Sequence, residues 1–114
     1  MKSKVNEYLP TKLANQIKNI GHHIQISRKK RGFRLLDMGQ CSRISVQTLQ
    51  RIEKGDPKVS FGAYSMCLHI LGLSQDMDII AAPEFDELGQ HLTEKSLPKR
   101  IRIQKKLSKH KGIN

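Results

Sequence analysis

The chain has 114 residues, enough for one compact domain and too few for a large substrate cleft. It carries 21 Lys and Arg against 10 Asp and Glu, a formal charge of +11, which favours a polyanionic partner, nucleic acid ahead of an acidic membrane surface or an acidic protein. No uncharged stretch approaches the roughly 20 residues of a membrane span and no apolar run follows Lys2 and Lys4, so the expected protein is soluble, cytoplasmic and without a membrane partner.

The charge falls in three blocks. Met1 to Gln75 carries +9, Asp76 to Glu94 carries −6 with no base, and Lys95 to Asn114 carries +8 with no acid. Only the first block has the apolar content of a core, so residues 1–73 are expected to form the folded domain. Residues 74–95 read as a strand and short helix for dimerisation, and residues 96–114 as a basic, flexible tail.

In chain order, Leu13, Ile17, Ile20 and Ile24 recur at steps of four and three, predicting an amphipathic helix from Thr11 toward Lys30 that Gly32 stops. A second helix of about two turns is predicted from Arg34 to Cys41, with Leu35 or Leu36 and Met38 for the core and Gly39 allowing close approach of a neighbour. Ser45 reads as the N-cap of a third helix, Val46 to Lys54, stopped by Gly55, with Ile44, Leu49 and Ile52 inward. After the Asp56-Pro57 turn, Ser60 caps a fourth helix containing Phe61, Tyr64, Met66 to Leu68 and Leu71, ended near Gly72. Met77 to Ala82, closed by Pro83, is too short for a helix and suits a strand. One strand cannot stand alone, so it is expected to pair with its copy in a two-fold homodimer, with Met77, Ile79, Ile80 and Ala81 at the contact. Phe85, Leu88 and Leu92 predict a short, weak helix over Glu84 to Lys95.

Cys41 and Cys67 stand alone inside apolar helical patterns and read as reduced core residues rather than metal ligands or a disulfide. His22, His23, His69, His91 and His110 form no ligand set, and the adjacent His22 and His23 point in different directions on a helix. No nucleophile–base arrangement, paired-carboxylate cleft or phosphate-cradling glycine loop is visible. Neither enzyme activity, a cofactor nor a metal is expected.

Two short helices across a tight turn, within a basic four-helix domain, suit a helix laid in the major groove and braced by its predecessor. The residues that carry this pattern, Arg28-Lys29-Lys30-Arg31-Gly32, Ser45, Thr48-Leu49 and Arg51-Ile52-Glu53-Lys54-Gly55, resemble the Xre-type, phage-repressor-like helix-turn-helix family over about Ile20 to Leu73. A second, weaker similarity, in Leu88, Gly89, Leu92 and Leu97-Pro98-Lys99-Arg100-Ile101-Arg102, is to HipB-like antitoxins, the regulators paired with HipA-type kinase toxins. The resemblance implies a mainly α, lambda-repressor-like bundle of four to five helices, to which the reading of residues 77–82 adds a C-terminal strand pairing between subunits. It also implies a dimeric repressor bound to an inverted-repeat operator in double-stranded DNA, with a HipA-like kinase toxin as a further partner.

Carried over by position, Ser45, Val46, Gln47, Gln50 and Arg51 correspond to residues that face DNA in such domains. Gln47 and Gln50 have the donor–acceptor pair suited to adenine, Arg51 the fork suited to guanine, and Val46 a surface for a thymine methyl. Ser45, Arg43 and Lys54 suit phosphates. Arg28 and Glu53 match a structural ion pair that bridges the first and third helices of the family. Two departures stand out. The second helix of the family begins with a small or hydroxyl residue followed by Gln, whereas this chain has Arg34, a substitute phosphate contact, and Leu35. Arg43 takes a turn position where Gly is usual, which adds roughly 1 kcal/mol of strain if its φ is positive. The alternatives are a stand-alone or prophage repressor of the same type and a protein-interaction module that has lost DNA binding. The tail from Lys99 to Lys111, anchored by Leu97, Ile101 and Ile103, suits a minor groove, RNA or an acidic surface, or serves only solubility.

Overall fold

The computed structural model describes residues 8–96, a mainly helical chain that divides after Gln75 into two units. Among the described residues the α-helices are α1 (Thr11–Lys30), α2 (Leu35–Ser42), α3 (Val46–Glu53), α4 (Phe61–Ile70) and α5 (Glu87–Ser96). No helix among them is long and apolar enough to cross a membrane.

The first unit packs α1 to α4 around Ile24, Met38, Leu49, Ile52, Tyr64, Cys67 and Leu71. Local signals place the helix ends. Ser45 Oγ accepts the Thr48 N–H at 3.1 Å and Ser60 Oγ accepts the Ala63 N–H at 3.1 Å, so both serine caps satisfy a donor that the first turn leaves unpaired. At the other ends Gly32, Gly55 and Gly72 take the left-handed conformation, and the next residue's N–H bonds back into the helix, as Phe33 does to the Arg28 carbonyl at 3.1 Å.

The buried stripe of α1 differs from the one its isoleucines and leucine predict. Gly21, Ile24 and Arg28 are buried and Ala14 and Ile17 half-buried, while Leu13 and Ile20 are exposed. Steps of three and four allow either stripe, and the close approach of the Gly55 backbone selects the one with glycine at its centre. On α2, Leu35 packs on the core and Leu36 is exposed, and on α4 Phe61 and Met66 point outward.

Of the two cysteines expected in the core, only Cys67 is buried. Cys41 is exposed, because Met38 and Ser42, four apart on α2, occupy its inward line. Burial, with the Glu53 carboxylate nearby, pushes the Cys67 thiol up to about 11. One thiol per chain is therefore expected to react with a disulfide reagent in the native protein at neutral pH, and the second only after urea unfolding. Two fast thiols in the native state would contradict this core.

In the second unit, Met77 to Ala82 does not form the predicted strand. The chain makes a 3-10 helix over Gln75–Ile79, then a turn with Ala81 at φ +59°, then a second 3-10 turn over Pro83–Phe85. No ladder partner for an extended segment lies among the described residues, and these backbone groups bond locally, as Ala82 does to the Ile79 carbonyl at 3.1 Å. The last helix begins later than expected, at Glu87, because Asp86 caps it by accepting the Gly89 N–H at 2.9 Å. Both 3-10 turns bury no residue, and Ile79, Ile80, Phe85, Leu88 and Leu92 are all more than half exposed. The basic tail, including Leu97, Ile101, Ile103 and Lys99 to Lys111, lies outside the described residues.

Candidate nucleic-acid interface

The turn Arg43-Ile44-Ser45 sets α3 across α2. Ser42, buried at the end of α2, donates its hydroxyl to the Met38 carbonyl at 2.6 Å and accepts the Ile44 N–H at 3.1 Å, which ties the turn to the preceding helix. Gly39 gives the backbone room, since a Cβ there would lie 3.1 Å from the Ile44 carbonyl oxygen. Arg43 has φ +59° and ψ 28°, so the unusual residue at this turn does carry left-handed strain. Arg43→Gly is expected to raise unfolding stability by about 0.5–1 kcal/mol in urea titration, the relief exceeding the extra flexibility of glycine in the unfolded chain. An equal loss would mean that the Arg43 side chain itself holds the turn.

With Leu49 and Ile52 buried, α3 turns Gln47, Gln50 and Arg51 outward, three and four residues apart on one face, and Ser45 and Lys54 are exposed at its two ends. Arg43 is exposed on the turn. Val46 is only half-buried, with its Cγ2 close over Gly39, so it leans toward α2 more than its neighbours.

Two of the expected contact residues are already engaged. The Arg51 Nε donates to Asp56 Oδ2 at 2.8 Å, leaving its terminal nitrogens to other acceptors. Partial burial opposes ionisation of Asp56, but the Lys58 backbone N–H at 2.9 Å and the Arg51 guanidinium outweigh it and hold the carboxyl below the usual range. Arg34 grips Asp37 with two guanidinium nitrogens, at 3.0 and 3.1 Å, while its backbone N–H donates to the same carboxylate at 2.8 Å. These bonds hold Asp37 below its ordinary value, and they half-neutralise the cation expected to meet a phosphate at the start of α2.

Arg28 and Glu53 are brought together as a buried pair. Nε lies 2.6 Å from Oε2 and Nη2 3.1 Å from Oε1, with side chains only 9% and 6% exposed. Arg28 Nη1 also donates to the Phe33 carbonyl at 2.7 Å, so one side chain joins the end of α1, the following turn and the end of α3. Nearby, Tyr64 donates its hydroxyl to the Asp56 carbonyl at 2.8 Å, and burial with the charge of Asp56 pushes it up to about 12.

Two open grooves flank α3. One, of about 400 Å3, is lined by Gln25, Lys29, Leu35, Gln50 and Lys54 beside the buried pair. The other, of about 390 Å3, contains Lys18, Arg51, Lys54 and Lys58. Lys18, Lys29 and Lys58 were not among the predicted site residues: the packing of α1 against α3 brings Lys18 and Lys29 beside it, and the turn after Gly55 brings Lys58 back to the same groove as Lys18. Met77, Ile79, Ile80 and Ala81, the expected dimer contacts, lie in the second unit, three of them exposed and Met77 half-buried. Among the described residues no cluster of His, Cys, Asp and Glu is placed to hold a metal. No family model, no curated protein and no solved structure matches this chain.

Proposed function

We propose that this protein is a sequence-specific DNA-binding repressor with no enzymatic step. The observation that carries the reading is the single exposed face of α3 on which Gln47, Gln50 and Arg51 stand together, flanked by Arg43, Ser45 and Lys54, in a block of charge +9. Amide and guanidinium side chains read base edges, while the flanking cations and hydroxyl meet phosphates. The protein acts as a homodimer on an inverted repeat, its two α3 helices entering successive turns of the major groove. A second copy covers the exposed Ile79, Ile80 and Phe85, and the sequence predicts that residues 77–82 extend into paired strands on association. The repressor belongs most naturally to a HipB-like antitoxin operon, with a HipA-like kinase toxin as partner. The same architecture serves a stand-alone or prophage repressor.

A second reading, an interaction module without DNA binding, draws on the aspartates that hold Arg34 and Arg51. Salt titration of binding to the protein's own upstream DNA, followed by fluorescence anisotropy, separates the two. Gln47→Ala and Arg51→Ala are each expected to weaken that binding about 5- to 150-fold, the equivalent of about 1–3 kcal/mol, with far smaller changes on random DNA. Equal, weak binding to both DNAs by the native protein assigns the function to protein contacts instead.

A further inference from the structure

The groove of about 390 Å3 beside α3 is a meeting point of three parts of the chain. Lys18 comes from the middle of α1, Arg51 and Lys54 from the end of α3, and Lys58 from the loop beyond it, with Asp56 as the carboxylate among the lining residues. Asp56 is taken up by Arg51 and by the Lys58 N–H. Lys18, Lys54 and Lys58 are exposed, and none of them forms an ion pair among the described residues, although the Lys58 charge does help to keep Asp56 ionised.

The placement is rigid at its base. A Cβ on Gly55 would lie 2.8 Å from the Lys18 backbone nitrogen and nearer still to its Cα, so the two backbones touch. Lys54 and Lys18 therefore flank the same contact, and three like charges surround one concavity. Asp56, shared with Arg51, offsets their mutual repulsion only in part, so the concavity favours an incoming anion. Arg51 and Lys54 belong both to this groove and to the outward side of α3, so an anion here lies alongside whatever α3 touches.

We propose that the groove seats a backbone phosphate of the DNA strand beside the bases read by α3, with Lys18 and Lys58 as its sequence-independent grip. The inference rests on the DNA-binding reading and extends it, giving α1 a direct part in the interface. Because a phosphodiester carries no sequence information, the contact adds affinity and salt dependence equally on every sequence.

The test uses the full chain and a random-sequence duplex, with affinity followed by anisotropy across a range of salt. Lys18→Ala/Lys58→Ala is expected to reduce the slope of log affinity against log salt by about 0.9, the contribution of the one phosphate contact that is lost. Lys18→Arg/Lys58→Arg keeps the native slope, and thermal melting confirms that each variant is folded. Lys12→Ala, an exposed lysine of α1 outside the groove, is expected to leave the slope unchanged. An unaltered slope in the double alanine variant, with DNA binding retained, overturns the groove and leaves the α3 reading standing. A drop of the same size per charge in Lys12→Ala also overturns it, because net charge alone would then explain the effect. Absence of salt-dependent DNA binding by the native protein removes both readings together. Inorganic phosphate that displaces the duplex no better than an equal ionic strength of chloride identifies the ligand as the DNA backbone rather than a free anion, whereas selective displacement by phosphate overturns that assignment.

Discussion

Gly21→Ala is expected to lower the unfolding free energy by about 2 kcal/mol, against the propensity of its own helix. In the interior of α1, alanine would gain about 1 kcal/mol over glycine on propensity alone. The added Cβ, however, falls 2.7 Å from the Gly55 nitrogen and closer still to the Ile52 carbonyl oxygen. Those are backbone atoms and cannot rotate away, so α1 must lift from the end of α3. Overpacking of this kind costs about 3 kcal/mol, and the clash wins. Gly55→Ala meets the reciprocal clash with α1 and also a φ of +75°, and should lose more. Gly62→Ala, in the first turn of α4 with only the Ser60 hydroxyl within 4 Å, should instead gain about 0.5–1 kcal/mol. Urea titration of the three variants checks the order, and a stabilised Gly21→Ala would show that the two helices do not touch through these glycines.

The second large effect is expected at the buried pair. Removing either Arg28 or Glu53 leaves its partner uncompensated in a site under 10% exposed and should cost about 3–5 kcal/mol, a large part of the about 5–15 kcal/mol that holds a domain together. Glu53→Gln retains the shape and loses the charge, so it isolates the electrostatic part. Arg28→Met/Glu53→Leu removes both charges and should recover most of the loss, because neither buried charge then needs a partner. The exposed pair of Arg34 and Asp37 serves as the control, and Asp37→Asn should change stability little. A Glu53→Gln variant no less stable than Asp37→Asn would reduce the buried pair to a spectator. Gly21 and Glu53 both depend on the spacing of α1 and α3, so their combined cost is expected to be non-additive.

Features that act over a few residues were legible from the chain alone. Ser45 and Ser60 were legible as caps and Gly32, Gly55 and Gly72 as stops, because a hydroxyl reaching an N–H three residues on, or a left-handed residue after a helix, needs nothing from elsewhere in the chain. The outward placement of Gln47, Gln50 and Arg51 follows from the spacing of Leu49 and Ile52 for the same reason. Arg28 and Glu53 were legible only through the resemblance, since 25 residues separate them and no local rule joins them.

The remaining choices depended on long-range packing. Two stripes on α1 fit the helical period equally well, and contact with Gly55 chose the one centred on Gly21 over the one containing Ile20. Cys41 and Leu36 were apolar enough for the core, but two turns of α2 can bury only one side, which Leu35, Met38 and Ser42 fill. Met77 to Ala82 has a strand-like composition but no ladder partner among the described residues, and it runs from a 3-10 helix into a turn. The partners of Arg34 and Arg51 were each within a few residues, yet whether a charged side chain turns back to Asp37 or Asp56 or reaches outward is a balance of exposed interactions worth little apiece. Periodicity and capping are properties of the chain, whereas the choice among faces is made by whatever each face finds to pack against.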